Sequence, residues 1–314
     1  MKTEKRSGKR STKWRKNDWE LLSMVMLGVV FVAVFSYGAM FGVVLAFKNG
    51  NNQLNVLEAM RSGAWVGLEN FRLFLHDSSF WDVLANTLGL NVLMLFINFP
   101  APILLAILLN EVRYTRYKKI VQTISYMPHF LSWVIFGGIV TALISVDGGL
   151  INDILLKLDL ISAPLDIKGE PQYFWALIII TSLIKGVGWG SVIYMAAISG
   201  IDACLYEAAQ IDGAGRLKRI IHITLPGIAP TVVTYLLLSV SGLLNNSVEH
   251  ILVFQTNTNL QRSQVIDTFV LRYGITQRMW SYATAVGLFK SVVAVVLIGL
   301  SNHISKKVTG KGVY

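Results

Sequence analysis

The sequence predicts an all-α integral membrane protein with six transmembrane helices, and three observations support that fold class. Of the 314 residues, 54% are hydrophobic and only 15% are charged, whereas a soluble domain carries about 25% charged residues. Apolar stretches recur along the whole chain and approach the roughly 20 residues that a helix needs to cross a hydrocarbon core. A cluster of basic residues precedes the first stretch, which is typical of a cytoplasmic membrane flank.

Six stretches are long enough to be transmembrane helices. The first has the basic flank of a signal peptide, but its apolar run is too long and no small-residue cleavage site closes it, so we expect a retained anchor. The fifth is the shortest and contains several polar residues. The predicted spans cover residues 21–47, 86–109, 120–145, 174–198, 228–245 and 282–304.

The distribution of Lys and Arg predicts that both termini lie inside the cell. Eight of the first 16 residues are basic, and with the N-terminus inside, 18 Lys and Arg residues fall on inner segments against 8 on outer segments. Cytoplasmic loops carry such an excess, so membrane flanks explain the net charge of +10 and nucleic-acid binding is not expected. The expected organisation is a basic cytoplasmic tail (1–20), a first transmembrane helix (21–47), an extracytoplasmic loop (48–79), a transmembrane core (80–304) and a cytoplasmic tail (305–314).

The inner segment 200–226 carries the most information, because it is long and not generically polar. Asp202 suits the N-cap of a short helix over 203–211, where its carboxylate accepts from backbone N–H groups that lack a partner in the helix. Gly213 suits a left-handed turn that ends this helix. A second short helix is predicted over 217–222.

Two further features of this segment concern its surroundings. Pro226 suits the first turn of the fifth span, where its missing N–H costs nothing. Small and apolar groups share one face of the first short helix, formed by Leu205, Ala208, Ala209 and Asp212. An exposed patch of this kind at the inner face of a membrane predicts a docking site for a protein partner. An ordinary amphipathic connector is the alternative.

The spacing of this segment resembles the EAA loop of bacterial ABC-importer permeases at every signature position: Glu207-Ala208-Ala209, three residues, Gly213, nine residues, Ile223, one residue, Leu225-Pro226. The resemblance implies the type I ABC importer permease fold. It also implies that residues 200–226, called the coupling segment below, dock on a separate ATPase subunit whose closure moves the spans. The residues implied in coupling are Glu207, Ala208, Ala209, Asp212, Gly213, Ile223, Leu225 and Pro226.

Three other segments resemble carbohydrate permeases. Residues 65–71, Trp-Val-Gly-Leu-Glu-Asn-Phe, are similar to a segment that precedes the second span in sugar permeases. Residues 267–274 and 282–291 are similar to the LplB-type subfamily, which is associated with oligo- and polysaccharide import. The resemblance therefore implies that the solute is a carbohydrate, an oligosaccharide or glycan fragment, moved by alternating access across the bacterial cytoplasmic membrane.

The resemblance also implies the partners of the chain. These are a second, related permease subunit, two ATPase subunits that dock on the coupling segment, an extracytoplasmic solute-binding protein and membrane lipid. The chain has no GxxxxGK[ST] phosphate loop, so ATP and Mg are expected on the partner ATPase, and neither a cofactor nor an enzymatic activity is expected here. The five His residues are scattered and the chain has one cysteine, so no metal site is expected.

An ion-coupled secondary carrier without an ATPase is the alternative function. Such a carrier needs carboxylates inside the membrane for coupling, and the predicted spans contain no clear mid-membrane Asp or Glu.

Lys185 and Lys290 fall inside predicted spans. A charge at bilayer depth usually faces the bundle interior, a cavity or a partner, so each lysine either lines the solute path or pairs with a carboxylate or a backbone carbonyl. Three glycines around Trp189 permit close helix contacts. The candidate path residues are Lys185, Trp189, Asn245, Asn246 and Lys290.

Overall fold

A computed structural model describes residues 16–309 of the chain. The fold is all-α apart from strands β1 (Lys48–Asn49) and β2 (Ala64–Trp65), which pair antiparallel. The α-helices in chain order are α1 Lys16–Val32, α2 Gly38–Met40, α3 Val56–Ser62, α4 Glu69–Leu75, α5 Phe80–Asn98, α6 Pro100–Glu111, α7 Thr115–Tyr126, α8 Trp133–Leu143, α9 Leu150–Lys157, α10 Pro171–Ser199, α11 Ala203–Ile211, α12 Arg216–Arg219, α13 Leu225–Ser241, α14 Val248–Phe254, α15 Leu260–Ser263, α16 Ile266–Leu271 and α17 Trp280–Thr309. The 3-10 turns are Phe41–Phe47 and Met127–Phe130, and the π-helical turns are Ala33–Tyr37, Ile220–Thr224 and Arg272–Thr276.

The membrane-length helices agree with the predicted fold class. They correspond to the first, second, fourth, fifth and sixth predicted spans, with ends that extend beyond the predicted ones at several places. Within the described residues, five helical stretches are long and apolar enough to cross a membrane: Trp19–Phe47, Phe80–Glu111, Pro171–Ser199, Arg216–Ser241 and Trp280–Leu300.

The third predicted span is broken. Its two parts, Thr115–Phe130 and Trp133–Leu143, meet at an angle of 105°, so the prediction of one continuous helix over 120–145 is wrong, and the number of spans is six only if the bent pair counts as one. Pro128 lies in the 3-10 turn before the break, where it cannot donate a helical hydrogen bond. Ser132 restarts the helix, because its side chain accepts from the N–H of Ile135 at 3.2 Å.

The fifth span begins earlier than its hydropathy indicated. Helix α12 runs through the π-helical turn Ile220–Thr224 into α13, so the predicted second short helix is not separate but is the first part of a continuous stretch. Pro226 lies in the first turn of α13, as predicted. The π turn Ile220–Thr224 directly precedes α13. It widens the helix and interrupts the regular pattern of backbone hydrogen bonds.

Helix α10 lies at the centre of the bundle. Near its start, Phe174 and Ile178 are fully buried in a cluster with Leu90 of α5 and Phe254 of α14. Near its end, Tyr194 is buried in a second cluster that contains residues of α6 and α13. Helix α10 therefore packs against α5 and α14 near its start and against α6 and α13 near its end.

Close packing around α10 depends on two of the three glycines noted in the sequence. A Cβ at Gly188 would collide with the backbone carbonyl of Ser125 in α7, and a Cβ at Gly190 would lie 3.0 Å from Pro102 of α6. A Cβ at Gly186 meets nothing within 4 Å. The predicted close helix contact is therefore confirmed at Gly188 and Gly190 and is absent at Gly186.

The first span packs on this bundle mainly through its end. Residues Phe41–Phe47 contact α17, and Leu45 and Ala46 are buried there. Most of the large apolar side chains from Trp19 to Met40 are exposed, which suits a helix that lies in lipid.

Candidate coupling segment and solute cavity

The first helix of the coupling segment, α11, has the predicted caps at both ends. The Asp202 carboxylate accepts from the N–H of Cys204 at 2.9 Å. At the other end Gly213 has a φ of +72°, and the N–H of Ala214 donates to the carbonyl of Ala209 at 2.8 Å. Together with a bond from the Gly213 N–H to Gln210, this is a Schellman motif, which ends a helix sharply.

Helix α11 is exposed along its length, since none of its residues is buried within the described chain. Ile211 is 87% exposed and Leu205 is 53% exposed. Glu207 and Ala208 are also exposed, and Ala209 is half-buried. A short helix that presents apolar and small side chains without covering them fits a docking surface.

A hydrogen bond ties α11 to the fifth span. The hydroxyl groups of Tyr206 and Thr224 lie 2.9 Å apart, and Thr224 is 1% exposed at the end of the π turn. Thr224 is buried and Tyr206 is half-buried, so this bond links α11 directly to the start of α13.

The eight predicted coupling residues fall into two groups. Glu207, Ala208, Ala209, Asp212 and Gly213 lie on α11 and its C-terminal turn. The other three lie after the turn, at the start of the fifth span: Ile223, Leu225 and Pro226. The first group carries the exposed face, and the second group carries the junction with the span.

A cavity of about 300 Å³ lies between α5, α6, α10 and α13. Its walls combine aliphatic side chains with neutral polar ones, namely Asn91, Asn98, Ser182, Tyr194, Tyr235 and Ser239. The rings of the two tyrosines are 6.0 Å apart. Among the described residues, the Asn98 Oδ1 atom is buried and has no hydrogen-bond partner. A buried acceptor of this kind is costly unless a donor reaches it.

None of the five predicted path residues is among the residues that line this cavity. Asn246 contacts the lining, because its side-chain amide exchanges two hydrogen bonds with that of Asn91, at 3.1 and 3.2 Å. Asn245 is exposed, and its N–H donates to the carbonyl of Gly242 at 2.8 Å.

Lys185 lies at the break in the third span. Its ammonium donates to the backbone carbonyls of Pro128 at 3.2 Å and His129 at 2.9 Å, and also to that of Leu131. The same ammonium lies 5.1 Å from the centre of the Trp133 ring. The Pro128 carbonyl also accepts from the N–H of Leu131 at 3.3 Å, so Lys185 is a second donor there. At His129 and Leu131 it satisfies carbonyls that a continuous helix would pair internally.

Aromatic stacking completes the packing around the break. Trp189 stacks on His129 with ring centres 4.8 Å apart, and Trp133 stacks on His250 at 3.6 Å. His250 shares a hydrogen bond of 2.9 Å with Thr181. Burial, with the nearby Lys185 charge, lowers the pKa of His250 to about 3, so the ring is neutral at physiological pH.

Lys290 pairs with a carboxylate that the span predictions did not include. Its ammonium forms an ion pair with Asp267 Oδ1, and the N–H of Asn246 donates to Asp267 Oδ2 at 2.8 Å. Asp267 lies in α16, between the fifth and sixth spans, and so does not show in their hydropathy. A lysine within a span itself predicts a carboxylate partner. The contact between Asn91 and Asn246 had no corresponding signal in the sequence.

Comparison with known proteins identifies the family of the chain. The family described as "Binding-protein-dependent transport system inner membrane component" matches residues 98–310. The Polygalacturonan/rhamnogalacturonan transport system permease protein YteP of Bacillus subtilis (strain 168) is 40% identical over 94% of this chain and 90% of that protein. Protein LplB of the same organism is 38% identical over 95% of this chain and 92% of that protein.

Solved structures agree with the sequence comparison. A bacterial ABC transporter involved in the import of the acidic polysaccharide alginate contains a chain that aligns with a TM-score of 0.85 and 35% identity, over 94% of this chain and 97% of that chain. A bacterial alginate ABC transporter in complex with alginate pentasaccharide-bound periplasmic protein aligns with a TM-score of 0.85 and 34% identity. The permease fold expected from the EAA spacing is thereby confirmed, and the protein spans a bacterial membrane several times. The chain belongs to the family of inner membrane components of binding-protein-dependent transport systems.

Proposed function

We propose that this chain is the transmembrane permease subunit of an ATP-driven importer that carries an oligosaccharide by alternating access. One observation carries the proposal: the exposed helix α11 is joined through Tyr206 and Thr224 to a helix that reaches the cavity wall. The names of the similar proteins, which concern polygalacturonan, rhamnogalacturonan and alginate, support a carbohydrate as the solute.

The coupling acts along the fifth span. An ATPase subunit docks on the face that holds Glu207, Ala208 and Ala209, and the small alanine side chains permit close approach. Movement of α11 shifts Thr224, and from there α13 extends to Tyr235 in the cavity wall. Those 11 residues of helix span about 16 Å. A continuous helix of that length joins the docking surface to the wall.

The partner subunits supply what the chain lacks. Without a phosphate loop, it leaves ATP and Mg binding and hydrolysis to two ATPase subunits on the coupling side. A second, related permease and an extracytoplasmic solute-binding protein complete the assembly. Both termini lie in the cytoplasm, with tails at 1–20 and 305–314, the first transmembrane helix at 21–47, an extracytoplasmic loop at 48–79 and the permease core at 80–304.

The chemistry of the cavity fits sugar hydroxyl groups. Amides and hydroxyls on its wall both donate and accept hydrogen bonds, and the tyrosine rings suit the apolar faces of sugar rings. The described lining of the cavity contains no Lys or Arg that could pair with a carboxylate. The cavity therefore recognises the ring hydroxyls of the glycan and not its acidic groups.

Transport assays with the reconstituted complex test the proposal. We expect uptake driven by ATP for at least one of trigalacturonate, an alginate trisaccharide or arabinotriose, with hydrolysis stimulated by the loaded binding protein. Glu207→Ala is expected to lower both rates at least about tenfold, as for loss of one charged hydrogen bond. Gly213→Pro should lower them as strongly, because proline cannot adopt the positive φ of this turn. Asp153→Ala removes an exposed carboxylate outside the coupling segment and serves as the control. Wild-type rates in both coupling variants would remove the docking assignment.

The same assay separates the importer from an ion-coupled carrier. Asp267 is a carboxylate in contact with a lysine of a span, which is the type of group that a carrier uses. A proton ionophore should leave ATP-driven uptake in proteoliposomes unchanged. Uptake that stops with the ionophore and continues without ATP would establish the carrier instead.

A further inference from the structure

A chain of hydrogen bonds connects three spans at the end of the bundle away from the coupling segment. The Asp267 carboxylate uses both oxygens: Oδ1 pairs with the Lys290 ammonium in α17, and Oδ2 accepts from the N–H of Asn246 at 2.8 Å. Asn246 follows the end of α13 by five residues. Its side-chain amide in turn exchanges two hydrogen bonds with Asn91 of α5.

The chain ends on the wall of the cavity. Asn91 lines the cavity and is held a second time by its own helix, where its Nδ2 donates to the Thr87 carbonyl at 2.8 Å. Asp267 lines a different cavity of about 600 Å³, between the first and sixth spans. The polar chain therefore runs from the wall of one cavity to the wall of the other.

We propose that Asp267 and Lys290 are a positioning pair for translocation: they hold Asn246, and through it the outer end of the fifth span, against Asn91 at the cavity wall. The inference rests on the proposed function for the identity of the cavity. Lys290 orients the carboxylate, and the carboxylate oxygen that remains free fixes the Asn246 backbone. The pair thus keeps the cavity closed from the outer side until the binding protein delivers solute.

The geometry distinguishes positioning from simple stabilisation. An ion pair that only stabilises would serve equally well in the reverse order, because attraction is unchanged when the two charges are exchanged. A positioning pair would not, because a lysine at position 267 has no acceptor for the Asn246 N–H. Exchanging the two residues therefore restores the ion pair and leaves the backbone of the fifth span unheld.

The rate of thiol modification in the assembled complex measures how accessible the cavity wall is from outside, and it needs no solute. Cys204→Ser removes the one native cysteine, and Leu95→Cys places a reporter on the cavity wall. A membrane-impermeant methanethiosulfonate is added from outside. In the exchanged variant, Asp267→Lys with Lys290→Asp, we expect modification about tenfold faster than in the parent, as for loss of one hydrogen bond to a charged group.

Two more variants keep the test decisive if the exchanged pair does not assemble. Asn246→Ala leaves the ion pair and the backbone bond intact but cuts the link to Asn91, and it should also speed modification severalfold. Ser291→Ala changes a neighbour of Lys290 whose hydroxyl donates within its own helix, and it should leave the rate unchanged. A parental rate in the exchanged variant or in Asn246→Ala would overturn the proposal.

Uptake of trigalacturonate provides a second measurement. A loosened wall should raise the KM of the exchanged variant severalfold more than it changes kcat, because the solute site is displaced while ATP hydrolysis is intact. Equal KM values in the parent and the exchanged variant would contradict the positioning role. Failure of the wild-type complex to carry any tested glycan would contradict the proposed function, and the thiol rates would still decide the positioning role.

Discussion

Gly213 is the residue on which the direction of the coupling segment depends. Its φ of +72° lies in the left-handed region, which costs a residue with a Cβ about 1 to 2 kcal/mol. Nothing lies within 4 Å of a Cβ placed there. The constraint is therefore one of backbone conformation and not of space.

Gly213→Ala should weaken coupling while its neighbour tolerates the same change. We expect substrate-stimulated ATP hydrolysis to fall severalfold in Gly213→Ala, because the helix end relaxes away from the Schellman geometry. Gly215 has a φ of −66° and equally open space, so Gly215→Ala should hydrolyse at the wild-type rate. Equal rates for the two variants would show that the left-handed turn is not needed for coupling.

Lys185→Met should destabilise the complex, because it removes the ammonium that donates to the carbonyls of His129 and Leu131 in the broken third span. Burying unpaired carbonyls costs about 1 to 3 kcal/mol, and we expect the thermal midpoint of the purified complex to fall by several degrees. Lys157→Met, at an exposed position, is the control. A midpoint that does not change would exclude a structural role for Lys185, and transport kinetics that do not change would exclude a role in the solute path.

At the level of elements, the contact between α10 and α7 is set by a single missing side chain. Gly188→Ala should cost about 1 to 3 kcal/mol, the usual range for overpacking, because its methyl group meets the Ser125 backbone. Gly186→Ala, on the same helix with open space, should be neutral or slightly stabilising, because Ala is the better helix former. Thermal midpoints of the two variants check this, and a Gly188→Ala value at or above that of Gly186→Ala would refute the close contact.

Hydropathy predicted where most spans lie, but not the break in the third. Residues 127–133, Met-Pro-His-Phe-Leu-Ser-Trp, interrupt the apolar run only briefly. Pro128 alone does not require a break, since Pro230 lies inside α13. The break is stable because Lys185, 54 positions or more along the chain, supplies hydrogen bonds to the freed carbonyls. A pattern based on local composition contains no information about a donor that distant.

At the scale of the whole molecule, the exposed Cys204 on α11 reports the orientation of the chain. With the coupling segment on the cytoplasmic side, as we propose, we expect an impermeant maleimide to label Cys204 in inverted membrane vesicles and not in intact cells. Addition of the ATPase subunit should slow the labelling, because Cys204 is one helical turn from Glu207. Leu54→Cys in a Cys204→Ser background, at an exposed loop position, should label from outside. The reverse pattern would invert the topology.

The coupling segment was the part of the site most open to prediction from sequence. Asp202, Gly213 and Pro226 act through local backbone geometry, and the predicted cap, turn and first-turn proline are all confirmed. The junction between Tyr206 and Thr224 joins residues on opposite sides of that turn, so it depends on how the turn folds.

The sequence by itself determined the membrane class, the approximate place of most spans, the local caps of α11 and the family resemblance. All of these rest on composition, periodicity and short-range spacing. Only the tertiary structure decided that the third span breaks, that Lys185 serves the break, and that Asn91, Asn246, Asp267 and Lys290 form one polar chain beside a cavity. These contacts join residues from separate helices. Which residues meet depends on how the helices pack, and no local sequence pattern specifies that packing.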